Sequence, residues 1–184
     1  IKDVYGRPYL PGSSLKGALR TVLIWGIYAA TKQRPDLRRL KPGRSWAAQS
    51  LERFIFGPDP NRDWLRALQV ADSGPLEPDC LRLEGVRVYP TARQGRRGLD
   101  LDVEAIREGT TFMVALTVDE YGFREKVASK LRWQGQRSWL EQLARLGREH
   151  ARQRLLTEAE YFKAKGGPVG VMRFYDGLIR TWSA

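Results

Sequence analysis

Few side chains in this sequence have the type and spacing that catalysis needs. The single histidine, His150, sits in a run of arginines with no evident partner, so no general acid–base pair can be read around it. Cys80 is the one cysteine. It cannot close a disulfide within the chain, which fits a reducing cytoplasm, and with one histidine it cannot build a Cys/His zinc site. Asp100 and Asp102 could form a metal pair or a solvated turn in a basic loop. Asp72 precedes Ser73-Gly74-Pro75, where an aspartate suits the cap of that turn. No catalytic residue, metal or cofactor is expected.

The segment Tyr9-Leu10-Pro11-Gly12-Ser13-Ser14-Leu15-Lys16-Gly17-Ala18-Leu19-Arg20 carries a different chemistry. A helix opening at Ser13 or Ser14 exposes free backbone N–H groups, the positive end of its dipole and two hydroxyls, which suits an anion. Gly12 lets a phosphate approach the backbone, and Gly17 removes a side chain one turn later. Lys16 and Arg20, four residues apart, share a face and could reach along a phosphate chain. A lysine in the first turn opposes the dipole, and Gly17 costs about 1 kcal/mol relative to Ala. Two unfavourable choices favour a functional reason. The alternative is an ordinary serine-capped helix whose glycine packs on a strand. It is not a Walker loop, since the order G-x-x-x-x-G-K-[ST] is absent.

Charge points the same way. Lysine and arginine number 32 against 21 acidic residues, a net +11 that draws polyanions from a distance. A GC-rich or thermophilic genome, which favours arginine everywhere, would produce the same excess. Arg93, Arg96 and Arg97, in a glycine-punctuated loop over residues 91–98, form a second candidate contact or a solvated hairpin tip. The Lys32–Arg44 loop is a third. No apolar run reaches membrane-spanning length, so no membrane partner is expected.

These residues need elements to hold them. Leu15, Leu19, Val22, Leu23, Gly26 and Ile27 recur at helical spacing, predicting a first helix to about Ala30. A second helix runs from Trp46 to Phe56 with Ser45 as its cap. Trp64 to Leu68 reads as a short helix or the approach to a strand, followed by a strand over Leu68–Asp72. Leu81 to Tyr89 alternates as a half-exposed strand with a bulge at Gly85. Val103 to Arg107 is ambiguous, and Thr110 to Asp119 is the strongest strand. Phe123 to about Lys163 should be helical, with a stripe of Leu140, Leu143, Ala144 and then Leu146 or Ala151. The tail beyond Gly166-Gly167-Pro168 is not assigned. The tryptophans are mostly spaced as core residues. The order predicts an α+β domain with helices on an antiparallel sheet.

Pro11-Gly12-Ser13-Ser14-Leu15-Lys16-Gly17-Ala18-Leu19-Arg20 resembles the first-helix motif of the RAMP superfamily of CRISPR-associated proteins. Leu68–Ser73, the Leu81–Val88 strand, Glu104–Phe112 and Leu155-Leu156-Thr157-Glu158 are similar to the fifth subunit of the type III-A (Csm) effector complex. The resemblance implies a ferredoxin-like (RRM-like) RNA-binding domain over 1–122 and a helical extension over 123–184. It also implies a non-catalytic backbone subunit that holds guide RNA (crRNA) toward its 3′ end and serves guide maturation and assembly in antiviral defence. Partners would be crRNA, target RNA and other Csm-type subunits in the cytoplasm. Gly12, Ser13, Ser14, Lys16, Gly17 and Arg20 would lie on the guide backbone. The family's opening strand and late Gly-Trp-Gly loop are absent, so the chain reads as incomplete. Alternatives are a RAMP-type endoribonuclease, for which Asp72 is the residue to compare, and a subunit of the Cmr complex. On this reading, Lys16→Ala with Arg20→Ala lowers the log–log salt slope of RNA binding by about one to two. A scaffold that is only incidentally basic gives a slope near zero.

Overall fold

The computed structural model describes residues 1–32, 36, 38, 40, 48–88 and 99–183. Helices α1 (Gly12–Thr31) and α2 (Gln49–Phe56) lead into strands β1 (Leu68–Val70), β2 (Leu81–Val88), β3 (Leu99–Ile106) and β4 (Leu116–Val118). Helices α3 (Glu125–Leu131), α4 (Arg137–Glu141), α5 (Leu143–Ala164) and α6 (Val169–Ser183) follow. The mixed helix-and-strand class is as expected. Among the described residues the strands form two small sheets, β1 with β4 and β2 with β3. The chain divides into two compact units, Ile1–Leu15 with Val70–Leu116, and Lys16–Gln69 with Thr117–Ala184. No helix among the described residues is long and apolar enough to cross a membrane.

The second unit holds the core. Among the described residues the buried aliphatic and aromatic side chains belong to it, the largest fully buried ones being Trp64, Phe56, Leu23, Leu65 and Leu68. Trp64 buries a polar indole N–H, which needs a partner in the absence of water. It donates to the Ile55 carbonyl at 3.0 Å, and its ring centroid lies 5.3 Å from that of Phe56. Asp63 caps the 3-10 turn Trp64–Ala67, its Oδ1 accepting the Leu65 N–H at 2.9 Å. Gly26 brings α1 against α5, since a Cβ there would stand 2.7 Å from the Leu146 side chain. Leu140 and Leu146 are buried, whereas Ala144 is exposed and does not belong to the stripe expected from the sequence.

A further expectation for this unit is corrected. The helix expected over 123–163 is three, α3, α4 and α5, with Arg132 (φ 62°) and Gly135 (φ 77°) in left-handed backbone between the first two. That turn buries Trp133, whose indole N–H donates to the Arg62 carbonyl at 2.8 Å. Helix propensity cannot register a gain that comes from a distant acceptor. The unassigned tail is the helix α6, joined to α5 by stacked Phe162 and Tyr175 rings with centroids 5.7 Å apart. The second helix is described from Gln49 onward; Ser45 and Trp46 lie outside the described residues.

In the first unit β2 and β3 pair antiparallel from Leu81↔Ile106 to Val88↔Leu99. The ladder passes straight through Gly85↔Asp102, so the bulge expected at Gly85 is absent. The ambiguous 103–106 stretch is part of β3. Directly opposed residues share a face, which places Val86, Val88, Leu99, Leu101 and Val103 together, all of them exposed. The strand expected over Thr110–Asp119 is regular only at Leu116–Val118. Strand propensity needs a partner to act on. After β1, Ala71 still bonds the Ala115 carbonyl at 3.0 Å, but Ser73 turns to the Leu10 carbonyl at 3.0 Å.

Trp64→Ala should lower the unfolding free energy by about 3–5 kcal/mol, measured by urea denaturation with an unchanged slope.

Candidate nucleic-acid interface

The start of α1 lies in the first unit, and its first amide is already occupied. Gly12 N–H donates to Asp72 Oδ1 at 2.7 Å. A carboxylate at that position satisfies an orphan donor and the positive dipole end together. Asp72 therefore caps α1, not its own turn as expected. The turn is fastened by Ser73, whose hydroxyl accepts the Leu10 N–H at 2.9 Å and donates to the Gly74 carbonyl at 2.9 Å. Gly12 is a glycine because the backbone is close. A Cβ would lie 2.2 Å from the Val70 carbonyl oxygen and 2.7 Å from that of Ala71. Ser13 and Ser14 follow it, both exposed.

Lys16 and Arg20, in the second unit, turn inward. Lys16 Nζ donates to the Leu68 carbonyl at 2.7 Å. Burial holds its ammonium below the usual lysine range, with the Arg20 charge acting in the same direction and Asp63 opposing it. Arg20 Nε donates to Glu52 Oε2 at 2.9 Å and Nη1 to Asp63 Oδ2 at 2.8 Å. The guanidinium lies 3.9 Å from the Phe56 ring centroid. The two cations predicted to reach along a phosphate chain thus fasten α1 to its neighbours. The lysine that opposes the dipole has a structural reason, which a spacing argument cannot see.

Gly17 has none of that kind. It is exposed, and nothing lies within 4 Å of where its Cβ would be. On the helical repeat it follows Ser13 by one turn and precedes exposed Thr21 by another. Of the predicted contacts, Ser13, Ser14 and Gly17 are those left open along α1. Arg93, Arg96 and Arg97 lie outside the described residues.

Two of the candidates for chemistry, Asp100 and His150, are also engaged. Asp100 forms a two-point pair with Arg87 across the β2–β3 ladder, at 2.5 and 2.9 Å. Those hydrogen bonds hold its carboxyl below the usual range. His150 meets the Trp25 ring edge-on with centroids 5.5 Å apart. Burial lowers its pKa, as does the neighbouring Arg154 charge. Neither this pairing nor the Glu52 and Asp63 partners of Arg20 were legible, because no local spacing links them; Asp63 alone had a signal, as an aspartate opening a turn.

A family model described as the RAMP superfamily matches residues 1–182. The chain is 29% identical over 127 residues to the CRISPR system Cms protein Csm5 of Streptococcus thermophilus, covering 66% of this chain and 34% of that protein. It is 30% identical over 124 residues to the protein of the same name from Methanocaldococcus jannaschii, covering 63% and 28%. Among solved structures it is similar to a chain of the cryo-EM Csm–crRNA–target RNA ternary complex of a type III-A CRISPR-Cas system. That likeness has a TM-score of 0.64 at 26% identity and covers 96% of this chain and 55% of that one. A crystal structure of T. onnurineus Csm5 gives a TM-score of 0.60 at 26% identity, covering 96% and 59%. The matches span 34% or less of the length of these two curated relatives.

The inward Lys16 and Arg20 change what their removal should do. Arg20→Ala leaves Asp63 and Glu52 without their cation and should cost about 1.5–3 kcal/mol of stability. Thermal melts of the single and double variants check this, and unchanged melting would return both side chains to the solvent face.

Proposed function

This chain belongs to the RAMP superfamily, and we propose that it acts as a non-catalytic RNA-binding backbone subunit of a type III-A CRISPR effector complex. In this reading it holds crRNA by its phosphate backbone toward the 3′ end and contributes to guide maturation and assembly. The observation that carries the proposal is the likeness, over 96% of the chain, to a chain of a Csm complex containing crRNA and target RNA. A net charge of +11 supports a polyanion partner. The guide, rather than the protein, would then supply sequence selectivity by base pairing.

The contact surface follows from what remains open. The guide backbone would run along Ser13, Ser14 and Gly17, with Lys16 and Arg20 holding the helix rather than the RNA. Arg93, Arg96 and Arg97 would add phosphate contacts. We read the two small sheets as parts of a ferredoxin-like domain within 1–122, and residues 123–184 as a helical extension that docks on neighbouring Csm-type subunits in the cytoplasm. A nuclease reading is less well supported, since Asp72 is committed to a helix start and His150 to an aromatic contact.

Gly17→Gln separates the RNA reading from a structural one. Glutamine is the better helix former by roughly 0.5–1 kcal/mol, so the variant should melt slightly higher. If RNA lies on this face, the same variant should assemble less well on guide with its partner subunits. Improved stability with unimpaired assembly would remove α1 from the interface.

A further inference from the structure

Within the second unit, α1 and α5 enclose a groove of about 320 Å³. Trp25 lines it from α1; His150, Gln153, Arg154, Thr157 and Glu158 line it from α5, recurring at the three- and four-residue steps of one helix face. Trp25 and His150 are half-buried, and Gln153, Arg154 and Thr157 are exposed.

Although the chain is basic, this groove is electrically balanced. Arg154 Nη2 lies 2.5 Å from Glu158 Oε1, and the Tyr175 hydroxyl donates to Glu158 Oε2 at 2.7 Å. Those hydrogen bonds, from Tyr175 and then Arg154, hold Glu158 below the usual carboxylate range and so as the anion. Burial keeps His150 toward its neutral form. A phosphate gains nothing by entering such a place. A flat, uncharged ring with hydrogen-bonding edges gains an aromatic wall and polar side chains at the rim. Single-stranded RNA carries rings of that kind, and unpaired bases stack on aromatic side chains. The Gln153 amide, both donor and acceptor, is suited to a base edge.

We propose that this groove takes one unpaired nucleobase of the bound RNA, stacked against Trp25 beside His150, with Gln153 and Thr157 bonding its rim. The inference rests on the RNA-binding reading above and names a subsite that the backbone contacts along α1 do not supply. It makes part of the affinity depend on bases, independent of their pairing with a guide.

The test uses the full chain, an unstructured mixed-sequence RNA, and the same RNA backbone made abasic throughout. Trp25→Leu keeps an apolar group but removes the ring; Trp25→Phe keeps a ring. Trp25→Leu should weaken binding of the base-bearing RNA by about tenfold or more, and Trp25→Phe should restore most of it. The salt slope should not change, because no phosphate contact is lost. Abasic RNA should bind wild type and Trp25→Leu alike. Equal affinity of wild type and Trp25→Leu for the base-bearing RNA would overturn the proposal, as would an equal loss on abasic RNA, which signals repacking. If wild type binds neither RNA, the RNA-binding reading fails and takes the groove with it. Binding that ignores Trp25 removes the groove alone.

Discussion

A guanidinium withdrawn from water needs countercharge, hydrogen-bond acceptors and something flat to lie on, and Arg20 finds them in two places, α2 and the turn ahead of β1. Glu52 comes from α2, Asp63 from the turn ahead of β1, and the Phe56 ring from the end of α2. Asp63 is shared, since its other oxygen caps the turn that delivers Trp64. Moving any one of these elements would leave a partly buried charge without its partner, which costs more than the pair itself contributes. The position of α1 in the second unit is therefore specified electrostatically as well as by packing. The deepest apolar residues, Trp64 and Phe56, sit in and beside this arrangement.

With those inward contacts, α1 is a helix with two different sides. Leu23 and Gly26 face the core, Lys16 and Arg20 make polar anchors at its margin, and Gly17, Ala18 and Thr21 face solvent with small side chains. The small side allows another molecule to come near the helix backbone, and the anchors keep that side turned outward. Stability and accessibility are thus divided between residues one position apart, Lys16 and Gly17.

Much of this was legible locally. The apolar recurrence from Leu15 to Ile27 gave the first helix nearly to its last residue, and alternation gave β2. What local pattern could not show is where a side chain finds its partner in space. Gly12 looked like room for a phosphate, whereas its missing Cβ accommodates the Val70 carbonyl. Asp72 looked like a turn cap, yet the amide it satisfies is 60 residues away in sequence. Lys16 and Arg20 share a face as expected, but that face meets carboxylates and a carbonyl. In each case residue type was read correctly as needing an explanation, and the explanation was tertiary. The break around Trp133 is the same lesson in a helical segment, where a distant carbonyl outweighs propensity.

Among the described residues the β2–β3 ribbon has two strands, so each presents an outer edge of backbone groups without a described ladder partner in its own sheet. On one side it carries Val86, Val88, Leu99, Leu101 and Val103 to solvent. Such an edge is a template for strand addition between copies, and the neighbouring apolar side strengthens any pairing that starts there. The Arg87–Asp100 pair on the opposite face gives some charge to oppose it, though the two cancel one another. The ribbon is therefore a place where copies of the chain can pair, and a single lysine placed on its apolar side opposes that pairing without touching the core.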